Sequence, residues 1–127
     1  MKKLLLVLAM VFSMGSFASL CAAEPAEIAE IACRAAATFN PALVRNYMQP
    51  GEYAKFSKGM QQLKRQIAGN AVDRAKYLAM WRSADIKNAE IKGNQATVKV
   101  VISVDGQKDT LTMYFKRVNG KWYLLSK

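Results

Sequence analysis

The chain has no histidine among its 127 residues. That removes the side chain best suited to shuttling protons near neutral pH and the imidazole that most zinc and iron sites use. Cysteine is scarce as well, with Cys21 and Cys33 alone, so no disulfide framework can be built. Acids are outnumbered, nine against nineteen lysines and arginines, for a formal charge of +10. There is no nucleotide-binding glycine loop, no spacing of metal ligands, no internal repeat, no low-complexity tract and no long linker. The acids past residue 50 sit where acids ordinarily sit. Glu52 and Asp73 read as helix starts, Asp85 and Glu90 as exposed strand positions, Asp105 as a turn residue, and Asp109 as a hairpin-edge residue opposite Ile102. A carboxylate can act as acid or base once burial raises its pKa, but this distribution gives no such site. The sequence therefore points to a protein that is not an enzyme and needs no cofactor or metal.

What the chain does have is clearest in its last third. Asp105-Gly106 and Asn119-Gly120 are strong hairpin signals, because a type I′ turn needs positive φ at both central residues. Taken as two-residue loops, they set Val100 opposite Leu111, Val98 opposite Met113 and Ala96 opposite Phe115. They also set Phe115 opposite Leu124 and Arg117 opposite Trp122. Directly opposed residues share a face, so both turns independently place Val98, Val100, Leu111, Met113, Phe115, Trp122 and Leu124 on one apolar surface. The other face mixes Lys99, Val101, Thr110, Thr112, Tyr114, Lys116 and Tyr123. A weaker strand, roughly 85 to 91, precedes the turn signal Lys92-Gly93-Asn94, giving four antiparallel strands.

The start of the chain reads as an export signal. Met1-Lys2-Lys3 is a charged leader, Leu4 to Phe12 an apolar run, and Cys21-Ala22-Ala23 offers small residues for cleavage before Glu24. Two rivals exist. One is an uncleaved anchor, since no charge falls between Leu4 and Ala23. The other is a lipoprotein acylated at Cys21, although Ala18 and Leu20 are poor choices for the −3 and −1 positions of a lipobox. Cleavage after Ala23 leaves 104 residues (127 − 23), lowers the charge to +8 (10 − 2, with Lys2 and Lys3) and leaves Cys33 unpaired. The expected organisation is a signal peptide over 1–23 and one domain over 24–127, exported to the periplasm or beyond.

Helical spacing fills the middle. Glu24-Pro25-Ala26-Glu27 looks like a helix start, followed by Ile28, Ile31, Ala32, Ala35 and Phe39. Asn40-Pro41 breaks that helix and opens a short one with Val44, Tyr47 and Met48. After a turn at Gln49-Pro50-Gly51, Tyr53, Phe56, Met60, Leu63 and Ile67 are spaced 3, 4, 3 and 4. Ala71 to Arg82 predicts one more helix, burying Val72, Ala75, Leu78 and Ala79. Helices first and a meander afterwards make an α+β domain.

The closing Val118-Asn119-Gly120-Lys121-Trp122-Tyr123-Leu124, the strand Thr110 to Arg117 before it, and the breaks around Asn40-Pro41 and Tyr47-Met48 resemble the NTF2-like (cystatin-like α+β) superfamily. Within it the chain is most similar to small exported bacterial domains of the DUF4878 type, once described as lumazine-binding. The resemblance implies a curved, four-stranded cone with the helices packed on one face and a pocket between. Tyr47, Phe56, Met60, Trp81, Met113, Phe115 and Trp122 are the candidate lining of that pocket, for a small apolar or anionic ligand. A second reading uses the basic strip Lys55, Lys58 and Arg65, with Lys64, Arg74, Lys76 and Arg82 nearby, to dock an envelope protein or an anionic surface. Nucleic acid is not an expected partner, because export separates the chain from it and the aromatics occupy core-like positions. Cys33, in an alanine-rich helix, reads as a small buried residue.

Overall fold

The computed structural model describes residues 23–126; residues 1–22 of the expected signal segment, Cys21 included, lie outside them. Three α-helices and one 3₁₀ helix precede the sheet. α1 spans Pro25–Thr38, the 3₁₀ helix Pro41–Tyr47, α2 Pro50–Ala68 and α3 Ala71–Arg82. The strands follow as β1 (Asp85–Ile86), β2 (Glu90–Lys92), β3 (Gln95–Val104), β4 (Gln107–Val118) and β5 (Lys121–Leu124).

The expected register is the one observed. Val98 pairs Met113, Val100 pairs Leu111, Ala96 pairs Phe115, Phe115 pairs Leu124 and Arg117 pairs Trp122. The turn chemistry is the reason. Asp105 and Gly106 adopt φ of 51° and 82°, Asn119 and Gly120 of 53° and 79°, positive at both central positions of each loop as a type I′ turn requires. The fourth, weak strand is present in two pieces. β1 and β2 both pair antiparallel with β3, and the chain between them leaves the ladder. β3 and β4 thus form the spine of the sheet, with β1 and β2 on one side and β5 on the other.

α1 lies on the inner face, against β3 and β5. Its buried side is made of small residues, Ala29, Ala32, Cys33, Ala35 and Ala36, around one large one, Ile28. That composition lets the helix axis approach the sheet closely. Phe115, Ile28, Val44, Val98 and Val100 are fully buried, and Trp122 and Leu124 are nearly so. Phe39, expected on the helical stripe, instead terminates α1 in the left-handed region at φ 52°. Its ring stacks on Tyr77, with centroids 4.8 Å apart, a contact that holds a bulky residue in a backbone region it rarely takes.

Two local expectations are corrected. Pro50 and Gly51 are not a turn but the first turn of α2, where proline is at home because the first helical N–H has no partner anyway. α3 has the expected ends, yet the other face points inward. Val72 is 63% exposed and Ala75 and Ala79 are exposed, whereas Tyr77, Met80 and Trp81 turn toward the protein. The aromatic pair at i and i+4 offers more area to bury than the alanines on the opposite side. A tyrosine hydroxyl bond from Tyr77 to the Ala36 carbonyl, 2.8 Å, fixes that rotation.

Candidate functional site

Between α1, α2, α3 and the β4–β5 side of the sheet lies an apolar cleft of about 240 Å³. Ala32 and Ala36 form its floor, Phe56 and Trp81 its helical walls, and Leu111, Met113 and Leu124 its sheet wall. A second hollow of about 300 Å³ adjoins it beneath α2. The two share Ala36, Phe56, Trp81 and Ser126, and the second adds Lys55, Met60, Leu63 and Tyr77. The cavity exists because α1 is lined with alanines. Ala32 and Ala36 of α1 share the cleft with Leu111 and Met113 of β4, and the latter two remain partly accessible while their cross-strand partners Val100 and Val98 are sealed.

Four of the seven residues expected to line a pocket come together here: Phe56, Trp81 and Met113 in the main cleft and Met60 in the adjoining hollow. The other three are elsewhere. Phe115 is 1% exposed and belongs to the core below the cleft. Trp122 is also buried, covered by Arg117, whose guanidinium carbon sits 4.8 Å from the ring centre. Tyr47 packs at the end of the 3₁₀ helix, away from both hollows. Residues that sequence reasoning did not place on the wall are Ala32, Ala36, Leu111 and Leu124. Alternation put Leu111 and Leu124 on the right face, but which part of the face stays open depends on the size of the opposing α1 side chains.

The polar groups of the cleft are few. Trp81 Nε1 is buried with no hydrogen-bond partner among the described residues, an uncommon state for an indole N–H in an apolar setting. The Trp81 ring meets that of Tyr77 edge-on, with centroids 6.2 Å apart. Burial pushes the Tyr77 phenol above its ordinary pKa, and the neighbouring indole partly offsets that. At the mouth, Glu52 accepts a hydrogen bond from the Ser126 amide at 2.7 Å and faces the Lys55 ammonium at 3.8 Å. This pins the C-terminal segment across α2 and leaves Lys55 at the rim.

Among the described residues, the main cleft is lined by no cysteine, histidine or carboxylate, and its side-chain hydroxyls are those of Thr112, Tyr114 and Ser126. Cys33 is buried in α1, and burial, assisted by the nearby Glu30 charge, pushes its thiol up to about 11. Among the described residues no group of three or more histidine, cysteine, aspartate or glutamate side chains is placed to hold a metal ion. Asp109, which the register sets opposite Ile102 on the apolar face, is exposed, and its carboxylate accepts the Thr110 amide at 2.8 Å. On the basic strip, Lys55, Lys58 and Arg65 are all exposed along one side of α2. Among the described residues, no helix is long and apolar enough to cross a membrane.

No family model matches the chain, and no curated protein matches it. Among solved structures it is similar to the 2.00 Å crystal structure of a Campylobacter jejuni protein named as an NTF2-like transpeptidase. The TM-score is 0.55 at 17% identity, covering 83% of this chain and 100% of that one. A solution structure of a SEC-C motif containing protein from Rhodopseudomonas palustris follows at a TM-score of 0.47 and 15% identity, covering 87% of this chain and 84% of that one. With the α+β order and the single antiparallel sheet, the first likeness shows the fold: the described residues adopt an NTF2-like architecture.

Proposed function

We propose that the chain is an exported, non-enzymatic binding domain that takes a small or extended, mainly apolar ligand in the cleft between α1, α2, α3 and β4. The observation that carries this reading is the cleft itself. Its walls are apolar, and one buried donor, the Trp81 indole N–H beside Tyr77, meets no well-placed acceptor among the described residues. A ligand with an apolar body and one acceptor oxygen matches both features. Unpaired buried donors cost roughly 1–3 kcal/mol, so satisfying this one adds to the area term. At about 240 Å³ the main cleft is slightly below the ~300 Å³ at which drug-sized pockets begin. This favours a compact ligand, or one part of a longer one, over a large cofactor. Kinship with the exported DUF4878-type domains belongs to the same proposal.

The structural neighbour is named as a transpeptidase. Acyl transfer needs an activated nucleophile, and the Cys33 thiol is buried, raised in pKa and without a histidine to activate it. These facts support binding over turnover. The basic strip supports a second reading, docking of an envelope protein or anionic surface. Lys58 and Arg65 are exposed on the same helix side as Lys55, and such a contact would weaken steeply with salt.

The test is a thermal-shift screen of small apolar carboxylates, amides and lactones against the wild type, Phe56→Ala and Trp81→Phe. The proposal expects a saturable rise in Tm for at least one acceptor-bearing compound. Trp81→Phe, which keeps an aromatic side chain but removes the N–H together with the pyrrole part of the indole, should reduce it, and Phe56→Ala should abolish it. Equal shifts in all three proteins would sink the cleft as the binding site.

A further inference from the structure

β4 is twelve residues long and β5 only four. β5 covers β4 from Phe115 to Val118. One more bond, from the Leu125 amide to the Tyr114 carbonyl at 2.8 Å, ends the pairing. The next amide, that of Ser126, is held by Glu52 on α2. Among the described residues, no strand lies beside β4 on that side from Lys108 to Met113. Backbone groups alternate sides along an antiparallel strand. Since the Tyr114 carbonyl points to the β5 side, Thr112, Thr110 and Lys108 direct their own N–H and C=O groups to the same open edge. All three residues are exposed. The opposite border of the sheet is treated differently. β1 and β2 cover β3, and past β1 the Ser83 hydroxyl accepts the Ser103 amide at 2.9 Å.

The open edge and the cleft coincide. Four consecutive β4 residues, Leu111 to Tyr114, line the cleft. Consecutive residues point to opposite faces, so a wall containing all four is the rim of the strand, main chain included, rather than one of its faces. On the outer face of the sheet the register gathers Lys92, Lys99, Lys108, Lys116 and Lys121 against only Asp85 and Glu90. Lys99 lies directly opposite Thr112, and Lys108 and Lys116 flank it on β4.

We propose that this edge is a strand-addition site for an extended peptide of alternating apolar and acidic residues. The peptide pairs with β4 through Thr110 and Thr112. Its inward side chains enter the cleft beside Leu111 and Met113, and its outward carboxylates meet Lys99, Lys108 and Lys116. The edge supplies the main-chain hydrogen bonds and the cleft the apolar selectivity. The lysine-rich face decides the sign of the intervening side chains. Of the two edge amides considered, that of Thr110 already bonds Asp109, so the Thr112 amide is the principal donor. The proposal builds on the cleft reading above, because it assigns the cleft to side chains of a peptide.

The test uses the full chain and a capped seven-residue peptide alternating valine and glutamate. Two controls are a peptide of the same composition in two blocks and one with lysine in place of glutamate. The wild type should bind the alternating acidic peptide saturably, about tenfold or more tighter than either control, and the Thr112 amide should gain protection from hydrogen exchange. Thr112→Pro deletes an N–H that the sheet does not use, a substitution edge strands tolerate. It should leave the circular dichroism spectrum unchanged and weaken the peptide by about tenfold or more, while Thr112→Ala binds as the wild type does. If Thr112→Pro misfolds, Lys108→Glu/Lys116→Glu decides, with weakened peptide binding expected. No saturable binding by the wild type, undiminished binding by Thr112→Pro or the double variant, or an unprotected Thr112 amide in the complex would overturn the proposal. So would a wild-type dimer that Thr112→Pro converts to monomer, because the edge would then belong to a second copy. Small-ligand shifts that persist in Thr112→Pro keep the cleft reading intact while this one fails or stands on the peptide alone.

Discussion

Cys33 shows how a residue's surroundings decide its chemistry. It lies on the sheet-facing side of α1 among alanines, and burial holds its thiol at about 11 against an ordinary value of 9.0. Its protonated form is therefore favoured in the folded state. The unfolded chain loses that proton first, so this contribution to stability is complete below about pH 9 and is lost as pH rises toward 11. The raised Tyr77 phenol acts in the same direction at the alkaline end. Denaturant midpoints measured from pH 8 to 11 should fall less steeply in Cys33→Ala than in the wild type. Native thiol labelling at pH 8 should be slow and become fast in denaturant. At the core, Phe115→Ala should cost about 3–5 kcal/mol, since Phe115 is fully buried between both hairpins. Arg117→Ala tests a different bond set. Arg117 covers Trp122 and donates to the Asn94 side chain at 3.2 Å and the Gly93 carbonyl at 2.9 Å. Its loss should loosen the β2–β3 turn, visible as faster amide exchange at the Arg117–Asn94 contact.

At the scale of elements, strands and helices differed in how far the sequence revealed them. Strand register was readable because two I′ turns pin it from both ends, and a slip of one residue would have turned Val98, Val100 and Phe115 outward. α3 was readable in its ends but not in its rotation. Alanines, Val72 and Leu78 form a stripe as regular as that of Tyr77, Met80 and Trp81, and local spacing cannot choose between them. The choice is made at a distance, by the Ala36 carbonyl that accepts the Tyr77 hydroxyl and by the Phe39 ring stacked on Tyr77. Two substitutions separate these faces by chemical denaturation. Val72→Ser should change stability by less than about 0.5 kcal/mol. Tyr77→Phe should cost about 1 kcal/mol by leaving the Ala36 carbonyl short of a donor. The edge strand split into β1 and β2 was legible only as a weak strand, since its pairing comes entirely from β3.

Taken as a whole, the molecule has a closed half and an open half. Where α1 crosses β3, the core is sealed around Val98 and Val100. Where small α1 side chains face β4, a cleft opens between Phe56, Trp81, Leu111 and Met113. The sequence indicated the aromatic and methionine residues of that region but could not sort wall from core. Phe115 and Trp122 have the same apolar character as Phe56 and Trp81 and differ only in what lies above them. The basic strip gives a prediction at this scale too. If Lys55, Lys58 and Arg65 bind an anionic surface, retention on vesicles containing acidic lipid should fall with salt and disappear in Lys55→Glu/Lys58→Glu/Arg65→Glu, with thermal stability retained.

The central claim is that the cleft holds a ligand, and native mass spectrometry of the protein gently purified from its own host tests it most directly. The account predicts a non-covalent adduct on the wild type that is missing from a Phe56→Ala/Trp81→Ala variant folded to the same degree. A bare wild-type chain, or an adduct retained by that variant, would contradict it.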